Sequence, residues 1–294
     1  MKHKFILFLL IVLFVISTSL CGLGFYYDIK NNNENVNNNK NNDNKCDDKP
    51  KEVLECTFDG ELVQGAEYVN GQYTYRYMQE RGLFVKWINI NEDGWGVMLA
   101  DKESTDPVTT KLCNTINGKP IVSMSYMFDD SNATEIDLSS FDTSNVVDMS
   151  GMFTDSSALE LDLSSFDTRS VTNMYDMFFD SRAIEIVGLN KFDTANVIDM
   201  SRMFANSSIT KLDLSSFDTS SVTSMNFMFS NTAIKELDLS NFNILDETYV
   251  DGMLNDVKSN IVYVRTKKDI DKLKEYAGSP SNLNFVVKQW FINF

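Results

Sequence analysis

The stretch Ile136–Phe153 reads IDLSSFDTSNVVDMSGMF, and its recurrence decides the fold. Four further copies follow, at 161–178, 188–204, 212–229 and, more divergent, 237–254. The phenylalanine of the Phe-Asp-Thr unit recurs at spacings of 25, 26, 25 and 25 residues, at Phe141, Phe166, Phe192, Phe217 and Phe242. A fixed period in this range is typical of a solenoid, in which each repeat stacks on its neighbours.

One repeat predicts its own local structure. Ile136, Asp137 and Leu138 alternate apolar, polar and apolar, which is typical of a short strand. The segment 142–145 supplies residues for a turn and a helix N-cap. The following apolar residues share one helical face, at offsets 0, 3, 6 and 7: Val146, Met149, Met152 and Phe153. We therefore expect an α/β solenoid with a parallel sheet, and a bulge or wider turn at Val187-Gly188, where the third repeat has one extra residue.

The repeat text LDLSSFDTSxVTxMxxMF resembles the BspA-like, Treponema-type leucine-rich repeats. It is also similar to the repeat of unknown function common in Mycoplasma lipoproteins. The resemblance covers residues 120–260 and implies a right-handed leucine-rich-repeat stack on a bacterial surface protein whose repeats bind proteins of a host or a neighbouring cell. It supplies no ligand and no functional residues.

The N-terminal segment 1–27 has the pattern of a signal peptide or signal-anchor. A short basic start precedes twelve apolar residues, Phe5 to Ile16, and the chain stays uncharged to Tyr27. The pattern leaves three outcomes open: an uncleaved anchor, cleavage after Ser17-Thr18-Ser19, or lipid attachment at Cys21. Residues 28–52 form an asparagine-rich segment, with ten asparagines between positions 31 and 45, which predicts a disordered tether.

The segments that flank the repeats are predicted to cap the solenoid. In 53–119, Asn70-Gly71 predicts a hairpin, and Phe84–Ile90 and Trp95–Leu99 predict a second one. In 261–294, we expect a last solenoid strand at Ile261–Val264. A helix over Lys267–Ala277, with Thr266 as N-cap and Gly278 beyond its end, and a final apolar strand from 284 to 294 complete this cap.

Composition excludes several classes of function. The only histidine, His3, lies in the export segment, so the remainder has no Ser-His-Asp or Cys-His nucleophile system and no histidine metal ligand. The net charge of −16 argues against nucleic acid and against anionic lipid surfaces as partners. Residues 121–257 hold 23 Asp and Glu against 6 Lys and Arg, so the charge belongs to the repeat.

Carboxylates are the main candidates for a binding site. One row is expected on the outward face of the sheet, where it predicts contact with a basic protein or weak calcium binding: Asp137, Asp162, Asp213 and Asp238. A second row is expected to accept backbone N–H bonds at the turns: Asp142, Asp167, Asp193 and Asp218. The inward methionines are expected in the core and not on a soft metal: Met149, Met174, Met200 and Met225. We expect no dedicated metal site and no cofactor.

Three cysteines follow the export segment, and they predict one disulfide in an oxidising exterior. Cys46 and Cys56 are close enough in sequence to form it, and Cys113 is then expected to be buried and free.

Together these features predict a non-enzymatic, membrane-tethered protein at the extracellular face of the cell membrane that binds or adheres to a protein ligand. Two alternatives remain, a self-associating envelope scaffold and a carboxylate-based glycoside hydrolase.

Overall fold

Stacked coils form most of the part of the chain that the structure describes. The computed structural model describes residues 54–79, 93–278 and 283–288. Parallel bridges join positions one period apart: Ser123, Asp148, Asn173, Asp199, Ser224 and Tyr249. These bridges divide the repeats into five coils, here numbered 1 to 5: 123–147, 148–172, 173–198, 199–223 and 224–248. The predicted solenoid with parallel pairing is confirmed, and it is a β-solenoid with little helix.

The methionine-phenylalanine segment of each coil forms successive turns, and the helical turns expected there are wrong. In coil 2 it forms two successive turns, closed by N–H bonds from Met152 to the Met149 carbonyl and from Ser156 to the Phe153 carbonyl. Gly151 and Asp155 are left-handed, with φ of 60° and 51°. Alternate N–H groups donate to carbonyls of the next coil: Met149 to Asn173, Gly151 to Tyr175 and Phe153 to Met177. In a helix these N–H groups would donate to carbonyls of the same segment. Here they join one coil to the next.

The threonine of Phe-Asp-Thr fastens each coil to the next. The Thr194 hydroxyl donates to the Asp218 carbonyl and accepts from the Asp218 N–H, both at 2.8 Å. Thr143, Thr168 and Thr219 make the same pair of bonds. All four threonines are buried. The sequence repeats threonine at this position because each hydroxyl satisfies two backbone groups of the following coil.

Stacked rings and thioethers fill the core. Phe153 and Phe178 lie 5.6 Å apart between centroids and are parallel within 3°, as are Phe178 and Phe204 at 5.5 Å. The four inward methionines predicted as core are fully buried. Because the phenylalanines of the Met-Phe pairs stack in an unbroken row from Phe128 to Phe229, the core continues from one coil to the next.

The extra residue of coil 3 is accommodated by a wider turn at Gly188, as predicted. Strands β7 (Glu160–Asp162) and β8 (Glu185–Val187) pair in parallel with Glu160 opposite Glu185. Directly after β8, Gly188 has φ of 95°, and a short 3-10 helix follows at Leu189–Lys191. A Cβ on Gly188 would lie 2.5 Å from the Ser164 nitrogen in coil 2, so only glycine fits here.

A mixed sheet closes the N-terminal end of the stack. Its six strands are β1 (Glu55–Cys56), β2 (Glu67–Asn70), β3 (Tyr73–Met78), β4 (Gly94–Leu99), β5 (Thr115–Ile116) and β6 (Lys119–Ser123), in the order β1-β5-β6-β4-β3-β2. The hairpin predicted at Asn70-Gly71 joins β2 and β3, with Asn70 opposite Tyr73. Tyr73 packs edge-on against Phe141 at 6.1 Å, so the cap continues the aromatic core. The expected strand Phe84–Ile90 falls in residues outside the described ranges.

At the C-terminal end, a helix lies where the sequence predicted one. Strands β9 (Glu236–Leu239), β10 (Ile261–Val264) and β11 (Asn284–Val287) pair in parallel, so β10 is followed by one further strand. Helix α1 (Lys267–Tyr276) lies between β10 and β11 in the chain. The Thr266 hydroxyl accepts the Asp269 N–H, and the Asp269 carboxylate accepts the Thr266 N–H. This capping box fixes the start of the helix.

The disulfide differs from the sequence prediction. Cys56 is bonded to Cys113, with their Cα atoms 5.8 Å apart. Cys113 is buried, as expected, but it is not free. The pairing of Cys46 with Cys56 is therefore wrong. Short separation in sequence suggested it, whereas the β1–β5 pairing brings Cys56 opposite Ile116 and so close to Cys113. Asn114 and Leu54 strengthen this approach by bonding each other through the Asn114 side chain and backbone.

Proteolysis of the full-length protein under non-reducing conditions should yield one peptide pair that links Cys56 to Cys113. Reduction before digestion should separate the two peptides in the mass spectrum. Recovery of a Cys46–Cys56 peptide from folded protein would contradict the structure.

Candidate binding faces

The strand face is the outward side of strands β7, β8 and β9, in coils 2, 3 and 5, and of the equivalent segments of coils 1 and 4. In coil 1 the strand predicted at Ile136–Leu138 is reduced to a single bridge from Ile136 to Val108. The strand face carries the four aspartates predicted to bind a partner, Asp137, Asp162, Asp213 and Asp238. Each accepts the backbone N–H of a serine two residues later, at 2.9 to 3.1 Å: Ser139, Ser164, Ser215 and Ser240. Hydrogen bonds from Ser139 lower the pKa of Asp137, and those from Ser164 lower the pKa of Asp162. The four carboxylates therefore shape the turn that follows each of these segments, and the lowered pKa keeps Asp137 and Asp162 ionised at neutral pH. Their binding role stays a prediction.

The strand face is not uniformly acidic. Coils 1 to 3 expose Glu135, Glu160 and Glu185 beside the aspartates. Among the described residues, none of these three glutamates takes part in an ion pair. Coil 4 has Lys211 at the equivalent position. In coil 5 the Lys288 ammonium lies 2.6 Å from the Asp238 carboxylate. Burial opposes the ionisation of Asp238, but the bonds from Lys288 and Ser240 prevail and lower its pKa. Glu236 of coil 5 is also exposed, and Lys191 acts on Asp162, yet the excess of carboxylates over lysines is larger on coils 1 to 3 than on coils 4 and 5.

An apolar patch that was not predicted from the sequence lies within this acidic region. Leu159, Ile184 and Val187 are 48%, 56% and 47% exposed. The Ile184 N–H donates to the Leu159 carbonyl at 2.9 Å, so the two residues lie on neighbouring coils. Val187 stands directly opposite Asp162, where the aspartate row is interrupted. The sequence signal was available, because these three residues replace polar residues at outward positions of the repeat.

Two more polar rows are structural. The predicted turn aspartates accept the N–H of the residue two positions later, as expected: Asp142, Asp167, Asp193 and Asp218. A third row, not predicted, does the same at the bridge positions: Asp148, Asn173 and Asp199. Within the described residues, no three His, Cys, Asp or Glu side chains form a group that could hold a metal ion.

A second surface follows the first left-handed position of each methionine segment. The Tyr126 ring lies against Gly151, where a Cβ would be 2.3 Å from a ring carbon, and Phe227 lies in the same way against Gly252. Between them, the Arg202 guanidinium stacks over Phe179 at 4.0 Å from the ring centroid. Its Nε lies 3.2 Å from the Asp176 carboxylate, and a terminal nitrogen donates to the Tyr175 hydroxyl at 3.0 Å. Tyr126, Arg202 and Phe227 occupy left-handed backbone, which costs about 1–2 kcal/mol each.

Asp176 is expected to make the folded state more stable as pH falls. Burial raises its pKa to about 6, against opposing effects of Arg202 and Tyr175. Because the folded pKa exceeds the unfolded value of 3.8, the folded state binds more protons between the two values, and this group stabilises the fold as pH falls. We expect wild type to gain about 1 kcal/mol over Asp176→Asn between pH 7 and pH 5. Urea unfolding of both proteins at the two pH values measures the difference, and parallel profiles would contradict it.

The family match spans the coils just described. Residues 102–187 and 183–265 each match the family described as Mycoplasma protein of unknown function, DUF285. Together they cover more than half of the chain. The chain belongs to this family. The two matches overlap at residues 183–187, next to Gly188. No curated protein and no solved structure matches the chain.

The predicted attachment residue Cys21 and the whole export segment lie outside the described residues. Within the part of the chain that the structure describes, no helix combines the length and the apolar character needed to cross a membrane.

Proposed function

We propose that this protein is displayed at the extracellular face of the cell membrane, held there by its N-terminal segment, and binds a partner protein without catalysing a reaction. The basic start and apolar run before Tyr27 support export, and the asparagine-rich segment that follows supports a flexible spacer. Anchoring takes place either through residues 1–27 or through a lipid on Cys21. The resemblance to BspA-like leucine-rich repeats supports protein binding as the role of the repeats.

The distribution of the carboxylates carries the proposal. The aspartates of each row accept backbone N–H groups inside their own turns in four of the five coils. A glycosidase needs one pair of carboxylates with different environments, whereas these rows repeat the same environment. The same rows give the solenoid a strongly negative surface, which favours association with a basic protein.

Cell adhesion tests this function with the full-length chain. Cells that express the protein should bind saturably to a surface coated with a basic protein such as histone, and more than cells that lack it. Proteinase treatment of intact cells should remove both the protein and the adhesion. Equal, non-saturable attachment of both cell types would contradict the proposal.

A further inference from the structure

The strand face of coils 1 to 3 combines an apolar centre with an acidic rim. In the centre, Leu159, Ile184 and Val187 are exposed by about half. The carboxylates of the rim are exposed on neighbouring coils: Glu135, Asp137, Glu160, Asp162 and Glu185. An apolar centre with a polar rim is the usual anatomy of a protein interface.

The charge determines which partner fits. Five carboxylates on three coils spaced about 4.8 Å apart repel one another, and a cation placed between them relieves that repulsion. A small cation alone would leave the three apolar side chains exposed to water. A polypeptide that carries both lysine or arginine and apolar side chains satisfies both parts of the surface at once.

The charge of the strand face changes along the stack of coils. In coil 4, Lys211 replaces the glutamate of the preceding coils and offsets Asp213. In coil 5, Glu236 is exposed but Lys288 neutralises Asp238. A basic segment is therefore attracted more strongly to coils 1 to 3 than to coils 4 and 5, which places it over the apolar patch.

We propose that the strand face of coils 1 to 3 is the docking site for a basic segment of a partner protein, with apolar side chains of that segment packed on Leu159, Ile184 and Val187. This assignment rests on the proposed function, since it names the surface and the partner chemistry through which the protein binds.

Two synthetic peptides test the site: Lys-Ser-Lys-Ile-Lys-Ile-Lys-Ser-Lys, and the same peptide with serine in place of isoleucine. Fluorescence anisotropy with purified full-length protein gives their affinities at low and moderate salt. We expect the isoleucine peptide to bind about tenfold more tightly, because two apolar side chains leave water on binding. Both affinities should fall as salt rises.

Matched variants separate the two parts of the site. Leu159→Ser with Ile184→Ser should abolish the preference for isoleucine, whereas Ile198→Ser, a comparably exposed residue at another position, should leave it intact. Glu160→Gln with Glu185→Gln should weaken both peptides about tenfold and reduce their salt dependence, whereas Glu247→Gln should not. All substituted side chains are exposed, and urea unfolding checks that each variant is folded.

Equal peptide affinity in wild type and in the double glutamine variant overturns the site, as does an isoleucine preference that survives the double serine variant. Calcium binding that is lost in the double glutamine variant, without peptide binding, overturns it in favour of a cation site. Adhesion that persists in both double variants removes this site and leaves the proposed function standing. Peptide binding without any adhesion of the expressing cells supports this site and contradicts the proposed function.

Discussion

Thr194→Val should lower the free energy of unfolding by about 2–3 kcal/mol, although the two side chains have nearly the same shape. The Thr194 hydroxyl both donates to and accepts from the Asp218 backbone at 2.8 Å. Valine removes both bonds and leaves an N–H and a carbonyl of coil 4 without partners. An unsatisfied polar group of this kind costs about 1–3 kcal/mol, so the loss exceeds that of an ordinary hydrogen bond.

Thr194→Ser is the matched control, because it keeps the hydroxyl and removes only a buried methyl group. We expect it to cost about 1 kcal/mol. Urea denaturation of the full-length proteins gives both values, and hydrogen exchange should show faster exchange of the Asp218 amide only in the valine variant. Equal stability of the two variants would show that the hydroxyl is not the source of the effect.

Gly188→Ala should have a still larger effect, about 3–5 kcal/mol, because it combines overpacking with backbone strain. The new Cβ would lie 2.5 to 2.7 Å from the Ser164 nitrogen, the Ser164 Cα and the Leu163 carbonyl carbon. All three are backbone atoms of coil 2, so relief requires separation of the coils and not a side-chain rotation. The left-handed φ of 95° adds a further penalty for alanine.

Gly118→Ala isolates the backbone penalty, because Gly118 has φ of 73° and a Cβ added there would have no neighbour within 4 Å. It should cost about 1 kcal/mol, within the range for glycine replaced at a left-handed position. Thermal unfolding of both variants measures the comparison. A Gly188→Ala protein as stable as Gly118→Ala would mean that coils 2 and 3 do not approach as closely as described.

The period of the repeat was sufficient to predict the parallel stack, because a side chain that recurs every 25 residues can face inward in every coil only if the coils are in register. The helix α1 was predictable for a local reason, since Thr266 and Gly278 mark its two ends. The wider turn at Gly188 was predictable from one extra residue beside a glycine.

The methionine segment was predicted as helix because spacings of three and four residues fit a helical face and also a series of turns. The left-handed positions distinguish the two, and Gly151, Asp155 and Asp180 are residue types that favour them. Tyr126 and Phe227 occupy the same conformation without that preference, so the signal was mixed. The Cys56–Cys113 bond depends on pairing between strands far apart in sequence, which spacing alone does not report.

The disulfide also determines which residues carry a force that pulls on the N-terminal side of the chain. A force that pulls on the chain before Cys56 reaches Cys113 through a covalent bond, and the intervening residues of the cap bear none of it. Without the bond, the same force would act on β1, which has only two residues, and would peel the cap open. The sequence separation of 57 residues corresponds to roughly 200 Å of extended chain. Reduction of one bond would therefore replace a stiff connection at this end of the solenoid with a long, compliant one.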